Sequence, residues 1–233
     1  MSAFIAAVGE HSAILISDGA SYNYDGVVVS IGPKVTIGKV APIAVTTRGS
    51  HLIGQKVQQA ICETADRYGV DYALDSFARE FPTLKAADGA WIHVHIIAWS
   101  LTCGPIQLSA HNCPQAFSDG QEPLTVTSPG GHYIAGTPVD EAGLAASGMR
   151  ARRDGEDLAD YLATEGPKVM EAMRQAPARP VAGDGWSGDQ YLVGGQCDVS
   201  VVSMWGATTK TVRTWPDVVG EKIIPASMLR AAA

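Results

Sequence analysis

The sequence has little positive charge and no long apolar run. Its formal net charge is −7 and its first Lys or Arg is Lys34, so phosphate backbones and anionic membranes would repel it on average. We therefore expect no nucleic-acid partner, and the lack of a basic N-terminal region favours a cytoplasmic protein over a secreted one. The best apolar candidate, residues 91–101, is interrupted by His93 and His95. It falls short of the roughly 18 residues of a membrane helix, so no membrane partner is expected.

Cysteines are few and form no recognisable motif. They are Cys62, Cys103, Cys113 and Cys197. Without a CxxC pair they indicate neither a zinc ribbon nor a redox site, and we expect buried thiols. His93 and His95 alternate along a predicted strand and share one face, but no third ligand is evident, so we expect them to pack in the interior. The glycine pairs at 130–131 and 194–195 lack the context of a nucleotide-binding loop. We expect neither a cofactor nor a metal.

Length and composition indicate a folded domain. The 233 residues are 46% hydrophobic and 18% charged, with charges of both signs, which is typical of globular proteins and not of disordered chains. A β-rich chain of this length can bury a sizeable core without dividing. We therefore expect a single domain over residues 1–233.

The spacing of apolar residues predicts two sheets separated by helices. Strands are predicted at 4–8, 13–17, 27–31, 35–37, 43–47, 92–99, 106–110, 124–127, 132–135, 197–204 and 211–214. Helices are predicted at 52–65 and 70–81, from an N-cap at Thr137, and at 156–174 with an interruption at Gly166-Pro167. This order fits an α+β fold in which two stacked antiparallel sheets carry helices on both outer faces, a four-layer αββα sandwich.

Ser2, Asp18 and Lys34 could together form a catalytic site at one sheet edge. Ser2 precedes the first predicted strand and Asp18 follows the second, so an antiparallel hairpin would bring them together within reach of Lys34. Removal of Met1 would give Ser2 a free α-amine, whose pKa of about 7.7 to 8.0 suits a base for the serine hydroxyl. Lys34 would lower that pKa and favour developing negative charge, while Asp18 keeps the lysine charged. The alternative is a disordered terminal serine beside a surface ion pair.

The intervals between these residues resemble those of proteasome β-subunits, which are N-terminal nucleophile hydrolases. In that family an aspartate follows the terminal nucleophile by sixteen residues and a lysine follows by sixteen more, as Asp18 and Lys34 do here. Residues 46–50, before the first predicted long helix, also resemble the family's small residue and glycine at that place, if one residue is inserted in the alignment. The resemblance then implies that the Gly49 amide is an oxyanion donor. It also implies that Thr47 and Arg48 line the substrate pocket, where Arg48 would either select acidic substrates or obstruct access.

The resemblance implies further site residues later in the chain. Thr137 corresponds to a supporting hydroxyl, although a plain helix cap is the alternative. The family segment Asp-x-x-Ser-Gly matches Asp184 and Ser187 in spelling. Residues 193–198 fit the approach to a late strand better, and the two alignments exclude each other unless residues are inserted.

By this likeness the chain is an amide-bond hydrolase, a peptidase acting on peptides or small amides, in which Ser2 forms an acyl-enzyme. Serine replaces the family's usual threonine, which keeps the hydroxyl. A retained Met1 would convert the basic amine into an amide nitrogen and remove the base. The alternative function is a non-catalytic subunit that keeps the fold for assembly. A homo-oligomer, as in the family's rings, is expected in either case.

Overall fold

The computed structural model describes residues 3–84, 90–113, 120–178 and 190–231. Within them the protein is mixed α and β, with five helices and eleven strands. The strands are β1 (Phe4–Val8), β2 (Ala13–Asp18), β3 (Ala20–Tyr22), β4 (Val28–Ile31), β5 (Val35–Ile37), β6 (Ile43–Gly49), β7 (Ile92–Ser100), β8 (Gly104–His111), β9 (His132–Ala135), β10 (Gln196–Ser203) and β11 (Gly206–Thr214). The helices are α1 (His51–Tyr68), α2 (Val70–Glu80), α3 (Glu141–Ala146), α4 (Leu158–Gln175) and α5 (Ala226–Ala231).

The strands pair in three antiparallel sheets. A five-stranded sheet has the order β11-β10-β2-β1-β9, a four-stranded sheet has the order β5-β6-β7-β8, and β3 pairs with β4. The predicted N-terminal hairpin is confirmed, because Phe4 lies opposite Ser17 and the Asp18 amide donates to the Ala3 carbonyl at 3.2 Å. The start of β1 and the end of β2 therefore lie side by side.

In β1 and β2 of the five-stranded sheet the side chains on both faces are buried, and successive side chains on a strand point in opposite directions. Ile14 and Ile16 of β2 join one apolar cluster with Met170 of α4. Leu15, between them, joins a different cluster with Ile97 of the four-stranded sheet. The other face of the four-stranded sheet packs against α1 and α2. Burial of each such side chain contributes about 1.5–3 kcal/mol, which holds the sheets and helices together.

The expected interruption at Gly166-Pro167 is wrong, because α4 runs through both residues. Proline removes one helical hydrogen bond at a cost of about 3 kcal/mol, but the buried face of α4 opposes that cost. The absence of a side chain at Gly166 allows α4 to pack closely on β2, since a Cβ there would lie 2.1 Å from Cδ1 of Ile16. The helix approaches β2 at a distance that only glycine permits.

Residues 124–127 do not form the predicted strand. Leu124 has a φ of 59°, in the left-handed region that interrupts extended structure. Thr127 makes only an isolated bridge to Ser109, and β9 pairs with β1 instead of with this segment. The segments 124–127 and 132–135, both predicted as strands, therefore do not pair with each other.

The helix predicted to begin at Thr137 begins three residues later than expected. Its N-cap is Asp140, whose Oδ1 accepts a hydrogen bond of 2.7 Å from the Gly143 amide. Thr137 lies before the helix and is buried, so its interpretation as a cap is wrong. Over the described ranges, none of the helices combines the length and apolarity needed to cross a lipid bilayer.

Candidate active site

Asp18 and Lys34 form a buried ion pair at the end of β2. The Lys34 Nζ donates to Asp18 Oδ1 at 2.8 Å and to Oδ2 at 2.9 Å. The aspartate side chain is fully buried and the lysine side chain is 9% exposed. Burial lowers the pKa of Lys34 below its ordinary value, and the Asp18 charge and hydrogen bonds counteract that shift. A buried lysine without a partner would strongly destabilise the fold. The Asp18 carboxylate therefore allows Lys34 to stay positively charged in the interior.

The N-terminal segment is held against this ion pair by a backbone contact. The Ala3 amide donates to Asp18 Oδ1 at 3.0 Å, the same oxygen that accepts from Lys34. Ala3 is buried, and Gly136, with a φ of 136°, leaves room for it because a Cβ there would lie 2.7 Å from the Ala3 Cβ. The first described residue of the chain therefore lies at the predicted catalytic carboxylate.

A cavity of about 420 Å³ opens beside Lys34, and Thr47 and Gly49 also line it. Gly49 ends β6 with a φ of 94°. A Cβ at Gly49 would lie 2.1 Å from the Trp91 carbonyl oxygen, so both its φ and its packing require glycine. The structure thus brings Asp18, Lys34, Thr47 and Gly49 to one end of the two larger sheets.

Gln58 of α1 joins the strands around Lys34. Its Oε1 accepts from Thr36 Oγ1 at 2.8 Å, and its Nε2 donates to Thr47 Oγ1 at 2.7 Å and to the Lys34 carbonyl at 3.3 Å. Thr46 Oγ1 donates to the same carbonyl at 3.2 Å. Gln58 is buried, so this one side chain fixes the backbone of Lys34 and two hydroxyls of the cavity wall.

The loop before β10 supports Asp18 from the other side. The Gly194 amide is 3.4 Å from Asp18 Oδ2, and the Gly194 carbonyl accepts from the Gly19 and Ala20 amides at 3.0 and 2.9 Å. A Cβ at Gly195 would lie 2.9 Å from Cγ2 of Ile31. Residues 193–195 therefore lead into β10, which begins at Gln196.

A second buried ion pair clamps this loop. Arg174 at the end of α4 donates to Asp217 at 2.8 and 2.7 Å, and both side chains are nearly inaccessible. Arg174 also donates to the Val193 carbonyl at 2.9 Å, and Asp217 accepts from the Gly195 amide at 2.7 Å. The Arg174 guanidinium lies 5.3 Å from the Trp215 ring. Together these contacts fix the glycine loop against the end of β2.

Arg48 is not among the described residues that line the cavity. In the β6–β7 register Arg48 lies opposite His93. Burial lowers the pKa of Arg48, and the nearby Tyr22, Tyr133 and Asp18 act to raise it. Tyr22 does line the cavity, and burial, followed by the Asp18 charge, raises its pKa well above the ordinary value. The Arg48 charge thus lies close to the Asp18–Lys34 pair.

Buried polar side chains of β7 and β8, among them His95 and Gln107, hydrogen-bond to one another in the interior. The His95 Nε2 lies 3.1 Å from Gln107 Oε1, and Gln107 Nε2 donates to the Pro129 and Gly131 carbonyls. The Gln107 oxygen must therefore accept, and His95 donates from Nε2. Its Nδ1 is buried without a hydrogen bond among the described residues. Burial lowers the pKa of His95 from 6.5 to about 4, so the ring is neutral at pH 7.

His93 occupies the same face of β7, as expected from its spacing. Its Nε2 lies 2.9 Å from Ser109 Oγ, which in turn donates to Gln121 Oε1 at 2.9 Å. Both histidine rings pack around Phe4, with ring centres 5.5 and 5.0 Å away. In the residues that the structure describes, no group of three or more His, Cys, Asp or Glu side chains could hold a metal ion.

Three residues of the predicted site, Ser2, Asp184 and Ser187, lie outside the described residues. Thr137 follows Gly136, which packs on Ala3, but Thr137 is not one of the cavity residues. Of the four cysteines, Cys62 and Cys197 are buried as expected, whereas Cys103 is exposed and Cys113 intermediate.

The sequence interpretation missed Gln58, Gly194 and the Arg174–Asp217 pair. Gln58 could have been found, because it falls among the buried positions of α1 at helical spacing, where a polar residue needs a partner. The ion pair joins residues that are far apart in the chain, and no local pattern indicates it.

No known protein-family model matches the chain, and no curated protein does.

Proposed function

We propose that the chain is an amide-bond hydrolase of the N-terminal nucleophile type, similar to proteasome β-subunits, with Ser2 as nucleophile once Met1 is removed. The observation that carries this proposal is the Ala3 amide on the buried Asp18–Lys34 pair. A peptide bond joins Ser2 directly to that nitrogen, so consecutive Cα atoms are about 3.8 Å apart. The residue expected to supply nucleophile and base is thus bonded to Ala3, whose amide donates a hydrogen bond to the predicted carboxylate.

We also propose the four-layer αββα order for the fold. It is supported by the three apolar clusters, of which one joins α1 and α2 to the four-stranded sheet and one joins α4 to the five-stranded sheet. The third cluster contains residues of both sheets. Each apolar face then has a partner, as a stable layered domain requires.

In the proposed reaction the Ser2 amine removes the hydroxyl proton while Oγ bonds to the substrate carbonyl carbon. The positive charge on Lys34 lowers the pKa of the amine, which keeps it neutral and basic near pH 7. The Gly49 amide stabilises the oxyanion. The carbon–nitrogen bond then breaks as the proton passes to the leaving nitrogen, and water hydrolyses the resulting ester to release the acid and restore Ser2.

Intact mass and covalent labelling test this proposal. Protein from its native host should lack Met1, and a β-lactone probe should acylate Ser2, as located by mass spectrometry of the N-terminal peptide. Ser2→Ala should abolish labelling, and Ser2→Thr should retain it because the hydroxyl remains. Lys34→Met should reduce labelling strongly, because the amine then loses the neighbouring positive charge.

Retention of Met1 together with no labelling would refute the hydrolase and leave the alternative of a non-catalytic assembly subunit. Circular dichroism of each variant serves as the control for folding. The homo-oligomer stays a prediction, which light scattering of the same sample tests.

A further inference from the structure

Two threonine hydroxyls on the cavity wall have hydrogen-bonding roles fixed by Gln58. The Lys34 carbonyl can only accept, so the Gln58 atom 3.3 Å from it must be the amide nitrogen. That nitrogen also donates to Thr47 Oγ1 at 2.7 Å. The opposite end of the amide is therefore an oxygen, and it accepts from Thr36 Oγ1 at 2.8 Å. The orientation of the amide follows from the carbonyl alone.

These roles leave different groups available on the two threonines. Thr36 uses its single hydroxyl hydrogen on Gln58, so its oxygen can only accept from a ligand. Thr47 accepts from Gln58 and keeps its own hydrogen, so it can donate. Both residues line the cavity and both are partly accessible. Among the polar residues of the wall, these two threonines thus present one acceptor and one donor, held by the two ends of a single carboxamide.

We propose that this wall recognises a primary carboxamide, so that the cavity accepts the side chain of a glutamine or asparagine residue of the substrate. The ligand carbonyl accepts from Thr47, and the ligand NH₂ donates to Thr36. This assignment rests on the proposed hydrolase and specifies its substrate class.

The charges around the cavity disfavour a cationic side chain, and the hydrogen-bonding roles of the two threonines disfavour an anionic or apolar one. Lys34 lines the cavity and Arg48 lies near it, while no carboxylate is among the described lining residues, so a lysine or arginine side chain finds no counter-charge. A carboxylate would direct an oxygen at the acceptor Thr36. An apolar side chain would offer no partner to the remaining acceptor of Thr36 or the remaining donor of Thr47, which is how a polar site rejects a close analogue.

Binding of small amides tests the inference without turnover. We would titrate N-acetyl-L-glutamine methylamide, and its methionine and glutamate counterparts, into ¹⁵N-labelled Ser2→Ala protein and follow the side-chain NH₂ signals of Gln58 by NMR. The glutamine compound should bind about tenfold more tightly than the methionine compound and several-fold more tightly than the glutamate compound, since two hydrogen bonds or one are lost. The Gln58 signals should shift with it.

Thr47→Val keeps the shape of the side chain and removes the donor, so the preference for glutamine over methionine should fall to about one. Thr36→Val removes the acceptor and should reduce the same ratio. It tests the inference independently if Thr47→Val does not fold. Thr208→Val on the exposed strand β11 is the matched control and should leave the ratio at its wild-type value.

Equal or tighter binding of the methionine compound would overturn the inference, as would an unchanged ratio in both wall variants. Binding that leaves the Gln58 signals in place would also overturn it. Absence of β-lactone labelling at Ser2 would instead refute the hydrolase, so the two failures are distinguishable.

Discussion

Acidification should destabilise the protein through the buried histidines of β7. Burial lowers the pKa of His95 from 6.5 to about 4, and burial, with the Arg48 charge next in size, lowers that of His93 well below its ordinary value. In the unfolded chain both rings regain ordinary solvation and bind protons more readily. The free energy of unfolding therefore keeps their full contribution above about pH 6.5 and loses it progressively as the pH falls toward 4.

The loss can be worked out for His95 alone. Lowering the pH from 7 to 5 removes about 2 kcal/mol, from the difference in protons bound by the folded and unfolded states. His93 adds to the loss in the same direction. The carboxylates with lowered pKa, among them Asp66 and Glu171, have ordinary values near 4 and act mainly below this window. Against a typical total of 5–15 kcal/mol, the expected change is large.

Urea unfolding at pH 7, 6 and 5, followed by tryptophan fluorescence, measures this loss. His95→Gln removes the titrating ring and keeps an N–H that can reach Gln107, so its stability should fall by about 2 kcal/mol less than that of the wild type between pH 7 and pH 5. His132→Gln at an exposed position is the matched control and should follow the wild type. The same decrease in wild type and His95→Gln would refute the argument.

Three further predictions concern packing and charge. Gly49→Ala should destabilise the protein by about 1–3 kcal/mol more than Gly104→Ala, measured by urea unfolding, because both positions have a positive φ but only Gly49 also meets backbone atoms. Gly166→Ala should destabilise by about 1–3 kcal/mol although alanine favours helices, and Ile16→Val should recover part of that loss by removing the atom it meets; an additive double mutant would contradict this contact. Asp18→Asn should lower the free energy of unfolding by about 3 kcal/mol at pH 7, because it leaves a buried lysine without its counter-charge, and a change below 1 kcal/mol would disagree.

The sequence allowed the N-terminal half of the candidate site to be predicted because local patterns determine it. Alternating apolar residues with a short polar turn define the β1–β2 hairpin, and that hairpin places Ala3 beside Asp18. Lys34 follows Gly32-Pro33 and directly precedes β5, so the short β3–β4 hairpin returns the chain to the same edge. The spacing of His93 and His95 likewise predicted a shared face, but not which layer that face contacts.

The remaining parts depend on contacts between distant residues. The β-forming residues at 124–127 predict a strand, but Leu124 adopts a left-handed φ that its residue type does not favour. The Gly166-Pro167 pair indicates a break in any isolated helix, and the burial of one face of α4 against β1 and β2 is a contact between distant residues that opposes this break. The partners of Gln58 come from two segments, residues 34–36 and Thr47 of β6, which a single helical pattern cannot reveal.

The clamp between Arg174 and Asp217 has a consequence for how the protein matures on the ribosome. Residues 3–34 emerge first and carry the ion pair, yet β2 acquires its neighbour β10 only when residues 196–203 are made, and the clamp waits for Asp217. Until then Asp18 lacks the Gly194 loop and one edge of β2 is open. A nascent chain therefore carries the early part of the candidate site long before it can close it, so the proposed chemistry waits until residues 196–217 have been made.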